Sequence, residues 1–299
     1  SMSRADFEVV LSMPGLHLNV DSLSALRTVA EQSPGRHVGI RIDPAVGVAY
    51  RNNDLLEYAG TAVTKFGIHR DRIDEVVDLA AASDLVIDTL HVHAGCGYLE
   101  PQLDAWERAL MQLDPFLERL PSVRAVNVGG GLGVPLRADD PSLDLTEWAE
   151  RLRRRFAPRG LEIQIEPGVF TVKDAGVLVV EVTHDEVRRG VRFVGVNAGF
   201  NLHVEPAVYS LPLEVVPLQL QTTPEASTHT AVTPTTTLAT IAGNINEALD
   251  IWARDVPLPP LNPGDRLAFI NAGAYGSSMS SNHCMRGSFS ECLVVGDAA

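Results

Sequence analysis

The chain has 299 residues, 45% hydrophobic and 21% charged, a composition that supports one large folded domain or two smaller ones. Its 24 basic and 38 acidic residues leave a net charge of −14, which repels a phosphate backbone, and no Lys/Arg stripe offsets it, so nucleic acid is excluded as a partner class. No run reaches the roughly 18 apolar residues of a membrane span, the N-terminus has no signal-peptide core, and Cys96, Cys284 and Cys292 lack the spacing of a disulfide scaffold or a zinc site, so the cytoplasm is the default location.

In chain order, residues 16–21 are β-rich, and a helix over 22–32 follows from an Asp21 or Ser22 cap. A strand at 37–42 closes on Asp43-Pro44, and a helix covers about 71–82. Strand 86–92 runs into His91-Val92-His93-Ala94-Gly95-Cys96-Gly97, and a long helix spans about 101–118. Strand 123–128 runs into Gly129-Gly130-Gly131-Leu132-Gly133, a helix covers 143–156, and strand 161–165 ends at Glu166-Pro167-Gly168. Repeated strand, Gly-rich turn and helix signal βα units of a parallel barrel, whose active sites form at the C-terminal strand ends. Five such strands are legible where a closed barrel has about eight.

After about residue 171 the helix signals fade. β-rich runs at 176–183, 191–196, 212–219 and 266–270 suggest a mainly antiparallel second domain from 172 to 299. The Thr/Pro-rich 222–237 reads as a loop and 245–253 as one short helix.

Chemistry concentrates at the strand ends. Gly129, Gly130 and Gly131 can bring backbone N–H groups to a phosphate, or simply make a tight turn. His91 and His93 share a strand face; one could lie against an aromatic cofactor, or serve as a hydrogen-bonded core histidine. A carboxylate at Glu166 could hold a protonated ring nitrogen, or be an acidic loop residue. Tyr275, flanked by glycines, can offer a hydroxyl to a phosphate or be a turn aromatic. Glu247 and Asp250, three apart, could take a cationic substrate group or face water.

Taken in order, NVDS (19–22), GIRIDP (39–44), KFGI (65–68), HVHAGCG (91–97), NVGGGLG (127–133), EPG (166–168), NAGFN and PAVY (197–209), GNINEALD (243–250) and NAGAYGSSMSSN (271–282) resemble the diaminopimelate/ornithine/arginine decarboxylase family, pyridoxal 5′-phosphate enzymes of alanine-racemase-like barrel plus β-domain fold. The resemblance implies a partial α/β barrel, about five of eight βα units, and a mainly antiparallel β domain. It implies that His93 stacks on the cofactor ring, that Cys96 stands where the family has a phosphate-binding serine, and that Gly129, Gly130, Gly131 and Tyr275 reach the phosphate. It further implies that Glu166 partners the pyridine nitrogen, that Arg41 lies under the ring and that Tyr209 faces substrate.

The departures carry their own expectations. The family's lysine sits in a YAxKAN-like motif on the first barrel strand; no such motif occurs here, and neither Lys65 nor Lys173 is placed to replace it. Residues 16–22 resemble the fourth barrel strand, so an open barrel is expected, completed by a short second polypeptide that supplies the Schiff-base lysine. Ser1 before Met2 reads as a cloning scar ahead of a natural start, which favours a natural split, and these units are expected to pair further into a dimer. Val169 replaces the arginine of EPGR-type motifs, Glu205 replaces the arginine before the PALY-like motif, and Asn246-Glu247-Ala248 replaces a CES motif. Glu205 argues for a neutral or cationic substrate side chain over a distal carboxylate, with a carrier-tethered amino acid as another form. The reading is a decarboxylase subunit, with catalytic candidates His93, Glu166, Asn246 and Glu247 and substrate-side candidates Glu205, Tyr209, Glu247 and Asp250; the alternative is a non-catalytic regulator or scaffold.

Overall fold

The computed structural model describes residues 2–60, 63–218 and 236–296. They divide into two units, Ser1–Pro135 with Pro141–Phe170, and Leu136–Asp140 with Thr171–Ala299. Among the described residues no helix is long and apolar enough to cross a membrane.

The first unit is a partial α/β barrel. Six strands, β1 (Asn19–Val20), β2 (His37–Asp43), β3 (Ile68–His69), β4 (Val86–Val92), β5 (Ala125–Asn127) and β6 (Glu162–Gln164), pair in parallel in the order β1-β2-β4-β5-β6, with β3 also on β2. Helices α1 (Arg4–Ser12), α2 (Leu23–Gln32), α3 (Ile73–Ala82), α4 (Leu103–Met111), α5 (Asp114–Arg119) and α6 (Leu145–Phe156) alternate with them. Local chemistry sets the helix starts. Ser22 caps α2 by accepting the Ala25 N–H, and Asp144 caps α6 by accepting from Thr146 and Glu147. α6 then buries Trp148, Leu152 and Phe156 at intervals of four, and Trp148 donates its Nε1–H to the Tyr98 hydroxyl at 3.2 Å.

Three features of this unit escape the sequence reading, the first being the two-residue strand β3, which makes six strands where five were expected. α1 is also absent from that reading, although Ser3 and Asp6 form a capping box. The single helix expected at 101–118 breaks into α4 and α5, because Pro115 has no N–H to continue the ladder and is tolerated only in a first turn.

The second unit holds α7 (Val169–Val172) in part, α8 (Glu205–Tyr209), and a curled six-stranded sheet. Its strands are β7 (Leu178–Arg188), β8 (Val191–Val196), β9 (Val215–Leu218), β10 (Thr237–Ala242), β11 (Ile251–Leu258) and β12 (Arg266–Phe269), ordered β11-β10-β8-β7-β12-β9. Every neighbouring pair is antiparallel except β10 with β8. Val180, Val182, Val194, Val196, Trp252, Leu267 and Phe269 form its core. The helix expected at 245–253 is a turn leading into β11; Trp252 and Val256 favour a strand that packs into this core. The expected loop at 222–237 lies outside the described residues up to 235, and Thr237 begins β10.

Candidate active site

Strand register builds the site in the first unit. Arg41 on β2, His91 on β4, Asn127 on β5 and Gln164 on β6 stand abreast, so their side chains share one face of the sheet. Just beyond this row, β4 leads to His93, β5 into Gly129–Gly131 and β6 into Glu166.

Glu166 is exposed yet fixed. Its N–H donates to the Gly129 carbonyl at 2.9 Å, and its Oε1 accepts the Asn127 Nδ2–H at 2.9 Å. His91 Nε2 lies 3.6 Å from its Oε2. Asn127 also accepts the Gly129 N–H through Oδ1 at 2.9 Å, which ties the carboxylate to the glycine turn. Gly129 sits at φ +69°, and a Cβ there would come within 2.9 Å of His93 Nδ1. A Cβ on Gly130 would come within 2.1 Å of the Glu166 carbonyl oxygen. Only glycine permits these approaches.

The same turn leaves donors open. Gly130 and Gly131 are buried, and among the described residues their N–H groups meet no protein acceptor. Buried amides are rarely left so, and a pair of them suits an anion. His93 packs its ring 5.0 Å from that of Tyr58, and its Nδ1 has no partner among the described residues. Burial, then the charge of Arg41, pushes His93 down to about 4, so the ring is neutral at pH 7. Burial also pushes His91 down, against the attraction of Glu166. Arg41, whose guanidinium lies 4.5 Å from the Phe66 ring centroid, is pulled down by burial and supported by Asp21 and Glu166. A cavity of about 630 Å³ opens on this row, lined by Asn19, Asp21, Arg41, His91 and Glu166 among others.

The structure thus gathers Arg41, His93, Gly129, Gly130, Gly131 and Glu166. Cys96 is half-buried in the turn after β4, its N–H donating to Leu56. Asn127 and Asp21 were not among the site candidates of the sequence reading; the signal for Asn127 was an amide at a strand end next to the glycine run. The other candidates lie in the second unit. Tyr275 is part exposed at φ +58°, Tyr209 ends α8, and Asn246 and Glu247 are exposed, with Asn246 Oδ1 accepting from Cys284 Sγ at 3.3 Å and Glu247 Oε1 3.5 Å from His283 Nε2. Two substrate-side expectations meet a different arrangement. Asp250 is 3% exposed, and its carboxylate accepts from the Phe200 and Ile245 amides and from Trp252 Nε1. Glu205 is buried and accepts from Lys173 Nζ at 2.5 Å.

The profile described as "Pyridoxal-dependent decarboxylase, C-terminal sheet domain", that of the ornithine/diaminopimelate/arginine decarboxylases, aligns with residues 20–273. The chain belongs to this family. It is 32% identical over 293 residues to diaminopimelate decarboxylase of Methanothermobacter thermautotrophicus, and 31% identical over 295 residues to that of Streptomyces coelicolor. Each alignment covers 94% of this chain, but only 65% and 64% of those relatives. The crystal structure of diaminopimelate decarboxylase from Helicobacter pylori complexed with L-lysine superposes with a TM-score of 0.77 at 27% identity, over 95% of this chain and 69% of that one. The family's cofactor is pyridoxal 5′-phosphate, and the site fits it: two buried open amides suit the phosphate, and an exposed, anchored carboxylate and a neutral imidazole suit the ring.

Proposed function

We propose that this chain is the larger part of a pyridoxal-phosphate-dependent decarboxylase acting on an amino acid or an amino-acid-derived substrate. The carrying observation is the Glu166 carboxylate, exposed at a strand end and anchored by Asn127 beside two open glycine amides. When bound, pyridoxal 5′-phosphate supplies an electron sink for the charge left as the α-carboxylate departs. Gly130 and Gly131 hold the phosphate through their N–H groups. The neutral ring of His93 offers a face to the pyridine. Glu166 holds a proton on the ring nitrogen, with Asn127 and His91 orienting its two oxygens.

The chemistry also needs an amine, and the family's YAxKAN-like lysine motif does not occur in this sequence. Lys65 is exposed, with its Nζ 5.2 Å from the Phe66 ring centroid, and Lys173 belongs to the second unit in its ion pair with Glu205. In this reading the lysine is supplied from outside these residues, by a short partner polypeptide. Lys173 also meets the charge of Glu205, so this carboxylate is not offered to a cationic substrate end.

The test has two parts. Titration of the purified chain with pyridoxal 5′-phosphate, followed by fluorescence, is expected to saturate at one site, with Gly130→Ala abolishing it. The chain copurified with the products of its neighbouring genes is expected to carry a short lysine-bearing chain in native mass spectra, and to release CO₂ from an amino acid. Cofactor binding without CO₂ release from any complex would favour the second reading, a regulator, which the tied-up Lys173 supports.

A further inference from the structure

β4 ends at Val92, one residue short of His93, so the sheet does not by itself fix the imidazole. Rotation of a histidine ring about its Cβ–Cγ bond is soft, and a ring that must lie against a flat partner needs neighbours to hold its plane. Gly129 is one such neighbour: a Cβ there would stand 2.9 Å from His93 Nδ1.

The other hold comes from the segment before β3. Glu57 pairs antiparallel with Gly95, the Tyr58 N–H donates to the Ala94 carbonyl at 3.1 Å, and the Cys96 N–H donates to the Leu56 carbonyl at 3.0 Å. This register sets Tyr58 beside the turn that follows His93. The two rings meet with centroids 5.0 Å apart and planes tilted by 57°. Tyr58 is held in turn. Its ring lies 5.6 Å from that of Phe66, and the Thr64 hydroxyl, which donates to the Tyr58 carbonyl at 3.3 Å, accepts the Phe66 N–H at 3.4 Å. The Arg41 guanidinium, 4.5 Å from the Phe66 ring centroid, closes the series on β2. Tilted contacts are a favoured geometry for aromatic pairs, and a cation within about 6 Å of a ring adds to them.

We propose that Tyr58 is a positioning residue for His93: its ring holds the imidazole in the plane offered to the pyridine, and Phe66, packed against Arg41, holds Tyr58. This rests on the function proposed above and deepens it, because it names what keeps the imidazole face presented. A Tyr58 that only filled space would be replaceable by any apolar side chain of similar volume.

Long-range ¹H–¹⁵N spectra of the full chain labelled with ¹⁵N-histidine read the ring without cofactor, His93 being assigned from the His93→Gln spectrum. In the parent, His93 is expected to titrate at about 4. Tyr58→Ala lets water reach the imidazole, and burial is the largest cause of that low value, so the midpoint is expected to move toward the ordinary 6.5. Affinity for pyridoxal 5′-phosphate, by fluorescence titration, is expected to fall about tenfold in Tyr58→Ala, the scale of one aromatic contact, and to be restored in Tyr58→Phe. Tyr58→Leu fills space without a flat ring, which keeps the test open if Tyr58→Ala does not fold; it is expected to lose affinity as Tyr58→Ala does. In a His93→Gln background Tyr58→Leu is expected to cost nothing further, because its effect passes through His93. A His93 midpoint unmoved in Tyr58→Ala, an affinity unchanged in Tyr58→Leu, an equal loss in Tyr58→Phe, or a full loss in the His93→Gln background would overturn the inference and leave the function standing. A parent chain that binds no cofactor would instead remove the function proposed above, and the histidine spectra would still show whether Tyr58 holds the ring.

Discussion

Asn127 joins two parts of the site with one side chain: its Nδ2 donates to Glu166 Oε1 and its Oδ1 accepts the Gly129 N–H, each at 2.9 Å. Asn127→Ala leaves the buried Gly129 N–H without an acceptor and Glu166 without its anchor. The expected cost is about 2 kcal/mol in urea denaturation, the range for a buried donor left unmet. Asn127→Asp retains the acceptor for Gly129 but sets a second carboxylate against Glu166, raising a carboxyl pKa in the folded state above its unfolded value. That deficit is greatest at pH 7 and relieved as pH falls and a proton is shared, so the Asp and parent stabilities converge toward pH 5. A gap that widens on acidification would show that the two side chains do not share this contact.

Glu166→Gln isolates the charge. The amide keeps the Asn127 contact through its oxygen and nearly the same shape, so melting temperature is expected to hold within about 2 °C, the scale of a shift below 1 kcal/mol. Affinity for pyridoxal 5′-phosphate is expected to fall by less than about tenfold, because the phosphate contacts are untouched. CO₂ release by the completed enzyme is expected to fall on the order of 100-fold with KM little changed, the pattern of an interaction stronger in the transition state. A purely structural glutamate would give the reverse: lost stability and unaltered kcat.

Lys173 and Glu205 form a buried ion pair in the second unit, with side chains 4% and 8% exposed. Burial raises the Glu205 carboxyl pKa, and Lys173 opposes that rise. Removing one partner strands the other in a dry interior, so Lys173→Met and Glu205→Leu are each expected to cost roughly 3–5 kcal/mol. The double variant Lys173→Met/Glu205→Leu is expected to recover most of this, because an apolar pair needs no desolvated charge. Urea denaturation of the four proteins closes the cycle. Additive losses would mean that each residue is held by other neighbours.

The partial barrel was legible because its strands are short apolar runs ending in punctuation: Asp43-Pro44, the glycines after Asn127, and Pro167 after Glu166. Positions were readable where punctuation marks a strand end, as with Glu166 and Gly130. Burial was not readable. Glu247 and Asp250 have the same kind of side chain three residues apart, yet one is exposed and the other is the acceptor of three donors, the nearby Ile245 amide and Trp252 Nε1 and, from fifty residues away, the Phe200 amide. The same limit hid β11. Local spacing over 245–253 suits a helix, and only the neighbouring β10, paired from Thr237↔Leu258 to Ala242↔Ile251, makes it a strand.

His93 gives the first unit a predictable response to acid. Its pKa is pushed from 6.5 to about 4, first by burial and then by Arg41, and His91 shifts in the same direction. Between those values the unfolded chain binds a proton at His93 that the folded chain refuses. Stability is therefore full above about pH 6.5 and falls as pH drops toward 4, where the folded state also protonates and the loss levels off. At 1.36 kcal/mol per unit the loss through His93 approaches roughly 3 kcal/mol. Urea denaturation of the parent at pH 7.5, 6.5, 5.5 and 4.5 is expected to trace this decline. His93→Gln, which cannot titrate, is expected to flatten it by about that amount while lowering cofactor affinity, because the amide offers no aromatic face. An unchanged slope in His93→Gln would assign the acid response to His91 alone and remove the basis for a neutral His93.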